Sequence, residues 1–241
     1  MAFDLTKVSW GGSSDSTGGT KTSPTSSSTT SIYRQGHEIY FTAVVNQNSI
    51  GSLIKLFHEI IVEERKETKG HYEIIPSVPA VDISLFLDTP GGCLSPCFKF
   101  IDFVESLRHR RILRTLTTII TGCVASAGTL MAIIGNKRYI TTNAIAMVHE
   151  LSGGSYGEFH QIVSRLKVIT SIHNTVIRIM VSNTKLDSKT ISELLLKETW
   201  FFGEEYLKAG FVDGIYQHAE EPSLSSSSST PTPLPLHDAG N

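Results

Sequence analysis

Ser126 stands in a run of small residues, Gly122-Cys123-Val124-Ala125-Ser126-Ala127-Gly128, between a strand-like and a helix-like segment. A hydroxyl at that junction meets a helix N-terminus. The helix dipole and the N–H of Ala127 would stabilise negative charge beside it. Taken alone, the placement equally describes a common N-cap serine. It is not a nucleophile elbow, because Val124 occupies the position of that motif's glycine. His149 follows at an interval of 23 (149 − 126) and closes the apolar segment 144–148. Imidazole is the side chain suited to take a serine proton at neutral pH. A lone histidine of this kind is usually structural. Upstream, Asp88-Thr89-Pro90-Gly91-Gly92 ends one apolar segment and precedes a helix. Paired glycines permit close backbone approach and unusual dihedrals, and their N–H groups can bind an oxyanion; an ordinary turn has the same composition. Gly153-Gly154-Ser155-Tyr156-Gly157 follows the histidine. It reads as a flat segment able to pair with an extended peptide, or as a flexible connector.

These residues need elements to hold them, and the chain alternates. Residues 39–45 and 81–87 read as strands, and 50–66 carries apolar residues at helical spacing. Residues 68–79 are polar and interrupted by prolines, a loop. Ser95 and Pro96 predict an N-cap and first helical residue, with Phe98, Ile101, Val104 and Leu107 forming the helix face. A strand over 112–121, a helix over 127–134 and short strands at 139–140 and 144–148 come next. A long helix is expected over 158–183, with shorter ones at 191–197 and 203–208 and a last strand at 212–216. Alternating strands and helices predict an α/β fold with a largely parallel sheet.

The flanks differ. Residues 1–31 form a Gly/Ser/Thr-rich arm and residues 219–241 a Ser/Pro-rich tail, both too polar to offset their ordering entropy. The folded domain is expected over 32–218. A net charge of −2 gives no reason to expect nucleic acid or an anionic membrane. The run 108–111 of Arg and His reads as a helix end. Three cysteines, an odd and sparse count, argue against a disulfide framework and for a reducing, cytoplasmic setting. The acid-poor N-terminal arm is also compatible with an organellar address. Metal-ligand spacings are missing, so no metal is expected. The uncharged stretch 115–135 is rich in threonine and glycine and reads as strand, turn and buried helix rather than a membrane span.

Order and spacing together are more specific than any single motif. Over residues 34–216 the chain resembles the ClpP family, the proteolytic subunits of the ATP-dependent Clp protease. The shared pattern is a serine in a small-residue turn, a histidine some two dozen residues on, and glycines four, five and eight positions later, here Gly153, Gly154 and Gly157. Ala209-Gly210-Phe211-Val212-Asp213 is similar to the family's Tyr-Gly-Leu-Val-Asp ending. The resemblance implies a ClpP/crotonase-like spiral of βαβ units with a long protruding handle helix. It implies Ser126 as nucleophile, His149 as general base, and the amides of Gly92 and Ala127 as an oxyanion hole. Gly91, Gly153 and Gly154 would bind substrate. Counting back from Asp213, the family's catalytic aspartate falls on Glu198 (213 − 198 = 15), one methylene longer, with Asp187 as a fallback. Ser-His-Glu arrangements occur among hydrolases.

The same resemblance implies a serine endopeptidase that hydrolyses unfolded polypeptides. It would work inside a homo-oligomer of two stacked heptameric rings, fed by an AAA+ unfoldase. The seam Phe159, Ile162, Leu166, Ile169, Ile172, Val176 and Ile179 would join the rings or pack on the chain's own sheet. No nucleotide-binding motif is present, so ATP would belong to the partner and no cofactor is expected. Two other readings compete: a catalytically silent ring subunit, suggested by the atypical acid, and a crotonase-type acyl-CoA enzyme.

Overall fold

The computed structural model describes residues 30–68, 80–153 and 156–217. The expected loop over 68–79, both tails and Gly154 thus fall wholly or largely outside the described residues. In chain order the elements are β1 (Ser31–Gln35), β2 (Glu38–Thr42), α1 (Gln47–Thr68), β3 (Val81–Thr89), α2 (Leu94–His109) and β4 (Leu113–Ala125). They continue with α3 (Ala127–Ile133), β5 (Lys137–Ile140), β6 (Ile145–Val148), α4 (Phe159–Asn183), α5 (Ser188–Leu195), β7 (Thr199–Phe202), α6 (Gly203–Lys208) and β8 (Gly214–Ile215).

One mixed sheet runs β1-β2-β3-β4-β5-β8, and β6 bridges β4 to β7. The β1/β2 and β6/β7 pairs are antiparallel and the rest parallel. The α/β expectation therefore stands. Strands β1 and β7 are additions to it. Both are short: β1 mixes polar and apolar residues, and β7 has only four residues, Thr199-Trp200-Phe201-Phe202, too few for periodicity to mark a strand.

Helix α1 buries Ile50, Leu53, Phe57 and Ile60 completely, while Lys55, Glu63 and Lys66 are exposed. Each such side chain removes enough apolar surface from water to contribute about 1.5–3 kcal/mol. Phe57 meets Phe100 of α2 edge to face at 5.7 Å, locking the two helices together. On the opposite face of the sheet, Tyr33, Tyr40 and Phe86 stack across three strands at 4.9 and 4.6 Å.

Two boundaries move for physical reasons. Helix α2 begins at Leu94 with Cys93 as N-cap, so Ser95 is not the cap. The Cys93 N–H donates to the Val45 carbonyl at 2.8 Å, which fixes the chain at that residue. Strand β4 extends four residues past the expected end. Gly122 takes a φ of 92°, and beyond it β4 leaves β5 and pairs with β6. The uncharged stretch 115–135 is thus β4 and α3, and no helix among the described residues is long and apolar enough to cross a membrane. The basic run ends α2 as read, with Arg111 at φ 55° closing the turn.

Candidate active site

Because β3, β4 and β6 are parallel, their C-terminal ends share one edge of the sheet. The Pro-Gly-Gly turn follows β3, Ser126 follows β4 and His149 follows β6. Strand β7 is antiparallel to β6, so its beginning reaches the same edge. Its ladder with β6 ends on Val148↔Thr199, and the next residue outward on each strand is His149 and Glu198. Topology alone thus collects four segments scattered over more than a hundred residues, at the strand edge where open α/β sheets place ligands.

Ser126 sits between β4 and α3 with φ 60° and ψ −125°. For a residue with a Cβ this is an uncommon, costly conformation, of the kind that concentrates at functional sites. The surroundings enforce it. The Ser126 N–H donates to Met147 of β6 at 3.1 Å, and its carbonyl accepts the Thr129 N–H at 3.0 Å. The Thr129 hydroxyl also donates to the Met147 carbonyl at 3.0 Å. From α2, the buried Cys97 thiol donates to the Ala127 carbonyl at 3.3 Å, fixing the first turn of α3. Burial pushes that thiol's pKa far up, so it stays protonated as a donor. Ser126 is 1% exposed, so the residue is almost wholly removed from water.

The Pro-Gly-Gly turn is equally constrained. Thr89 is fully buried; its hydroxyl donates to Ala43 at 2.6 Å and accepts the Gly91 N–H at 3.1 Å. Gly91 and Gly92 adopt φ of 87° and 144°. The Val45 N–H donates to the Gly91 carbonyl at 2.7 Å and Cys93 donates back to Val45, so Gly92 is bridged to Val45 in parallel. In a parallel bridge of this kind the central residue's own N–H points away from its partner. The Gly92 amide is thereby turned to the side opposite Val45. A Cβ placed on Gly91 would lie 3.0 Å from the Ala127 nitrogen, so the turn and the start of α3 are in direct contact.

His149 is half-buried at the strand end. Glu198 is exposed, and its carboxylate accepts the indole N–H of Trp200 at 2.9 Å. Asp187, the fallback, caps α5 by accepting the Thr190 N–H at 2.7 Å, which holds its carboxyl below the usual range and engages one of its oxygens at that helix end. Gly153 is exposed, with open space around its α-carbon. Thr89 stands in the Pro-Gly-Gly motif without an assigned role, and Trp200 has no place in the sequence motifs. Thr89 reads in sequence only as a turn residue, and Trp200 lies in a strand that alternation alone does not reveal.

Comparison with known proteins adds a separate line. Residues 76–219 match the family model described as Clp protease. The chain is 28% identical over 147 residues to the "ATP-dependent Clp protease proteolytic subunit" of Leuconostoc citreum, covering 59% of this chain and 71% of that protein. To the protein of the same name from Streptococcus suis it is 29% identical over 146 residues, covering 59% and 72%.

Proposed function

This chain belongs to the Clp protease family, and on that premise we propose that it is a serine endopeptidase. The observation that carries the reading is the φ of 60° at Ser126, a strained non-glycine conformation fixed from β6 at the edge where His149 emerges. Ser126 attacks the scissile carbonyl while His149 takes its proton. Glu198 orients the imidazole and offsets its positive charge. The Gly92 and Ala127 amides receive the oxyanion, and Gly91 with the segment from Gly153 to Gly154 holds the extended substrate. Loss of the leaving amine, protonated by His149, gives an acyl-enzyme that water hydrolyses.

Family membership also supports an oligomer. We read it as two stacked heptameric rings enclosing the sites, with unfolded polypeptide delivered by an AAA+ unfoldase that hydrolyses the ATP. No cofactor takes part in the peptidase chemistry. The test is a fluorophosphonate probe with mass spectrometry of the adduct. Modification at Ser126, lost in Ser126→Ala and in His149→Ala, is the expected result. Peptidase activity undiminished in Ser126→Ala would sink the assignment. Failure to label, alone and with an unfoldase present, would instead indicate a silent ring subunit.

A further inference from the structure

We infer that Trp200 is a positioning residue for Glu198, acting through its indole N–H; the inference rests on the triad reading above. The two side chains lie two residues apart at the start of β7, on one face of the pleat, and the Nε1–Oε1 distance is 2.9 Å. Trp200 pairs directly with Met147 across the β6/β7 ladder, two residues before His149. The ring therefore stands on β7, next to the strand that His149 closes.

The chemistry explains why such a brace is needed here. Glutamate has one more side-chain torsion than aspartate, and Glu198 is exposed. An unbraced exposed carboxylate spreads over many rotamers, most of them turned away from the imidazole. A carboxylate has two oxygens and about four acceptor positions. Holding one oxygen on a rigid indole leaves the other to face the imidazole. The Trp200 backbone is held in the β6/β7 ladder and its half-exposed ring has only two side-chain torsions, so Trp200 supplies a restraint that a longer, more flexible donor would not.

The test uses the full chain and the rate of fluorophosphonate modification of Ser126 as a function of pH. Trp200→Phe keeps a ring and removes the donor. It should lower the limiting rate about tenfold, the loss of one hydrogen bond to a charged group. It should also move the acid limb to lower pH, because a carboxylate that wanders from His149 no longer raises the imidazole's pKa. In a Glu198→Gln background the same Trp200→Phe change should leave rate and limb almost unaltered. A Trp200 effect of equal size in both backgrounds, or none in the first, overturns the inference while the triad reading stands. A wild-type chain that never labels at Ser126 removes the triad reading and this inference together. Should Trp200→Phe not fold, ultraviolet resonance Raman of the indole N–H decides: the band should shift to that of a free N–H in Glu198→Ala. An unshifted band overturns the inference.

Discussion

A Cβ built on Gly91 would stand 2.6 Å from the Cβ of Ser126 and 2.5 Å from the Ala125 carbonyl oxygen. The turn after β3 and the start of α3 are thus packed backbone against backbone, closer than any side chain permits. Gly91 also holds a φ of 87°. Gly91→Ala therefore meets both a clash and a strained dihedral, together costing about 3 kcal/mol in stability. Because the displaced atoms include Ser126, labelling of that serine should fall about a hundredfold or more. Gly153→Ala, with nothing within 4 Å of its new methyl, should melt with wild type. Thermal melting and labelling kinetics of the two variants check both statements.

The backbone of Ser126 carries its own prediction. A φ of 60° with ψ of −125° suits glycine and strains alanine or serine. Ser126→Gly and Ser126→Ala should both abolish hydrolysis. Yet Ser126→Gly should be more stable than Ser126→Ala by about 1 kcal/mol, after allowing for glycine's greater unfolded-state freedom. Denaturant midpoints measure the difference. Equal midpoints would show that the conformation is unstrained in the folded chain.

The parts of the fold legible in sequence are those with strong apolar periodicity. Helices α1 and α4 and strands β3 and β6 lie within a few residues of their expected places. The convergence of Gly91, Ser126 and His149 is a consequence of motif order, because parallel strands return their C-terminal ends to one edge. The features that escape a sequence reading are set by tertiary contact. The start of α2 is fixed by Val45, a partner 48 residues away from Cys93 (93 − 45), rather than by Ser95. The extension of β4 exists because β6 arrives to pair with it past Gly122. Strand β7 places Glu198 beside His149 only through antiparallel pairing that no local pattern encodes. Asp187 is attractive as a carboxylate, but its sequence position before Ser188-Lys189-Thr190 makes it a helix cap.

Asp213 links the end of the chain's fold to its centre and predicts acid sensitivity. It accepts from Arg138 through the Nε, at 3.0 Å, and the Nη2, at 2.6 Å. Arg138 is buried and also donates to the Asn183 carbonyl at the end of α4. The Arg138 hydrogen bonds hold the Asp213 carboxyl below its ordinary range. A depressed folded pKa means the contribution is fully present above the unfolded carboxylate pKa, near about 4. It is lost as pH falls through the lower folded value. Asp213→Asn should cost about 2 kcal/mol at pH 7, less than a fully buried pair because Asp213 is partly exposed. The gap to wild type should narrow below about pH 4. Melting curves of both proteins from pH 7 to pH 3 test the sign; a gap that widens on acidification contradicts it.

Helix α4 is unevenly covered. Its last third buries Val176, Ile179 and Met180, whereas Phe159 and Leu166 near its start are 83% and 60% exposed. The apolar seam thus packs on its own subunit only at one end. Large exposed apolar side chains in a row on one helix face are surface that association removes from water. A second copy of the helix offers the same seam, and coiled-coil-like spacing lets the two interlock. Covering each large side chain contributes about 1.5–3 kcal/mol. Leu166→Glu combined with Phe159→Ser should therefore leave the fold intact by circular dichroism while sedimentation velocity shows a species of about half the wild-type mass. Because both substituted side chains are exposed and lie outside the core, thermal stability of the separated species should stay close to wild type. Sedimentation unchanged from wild type would mean that α4 is not the joining contact, and that the exposed seam faces something other than a second copy.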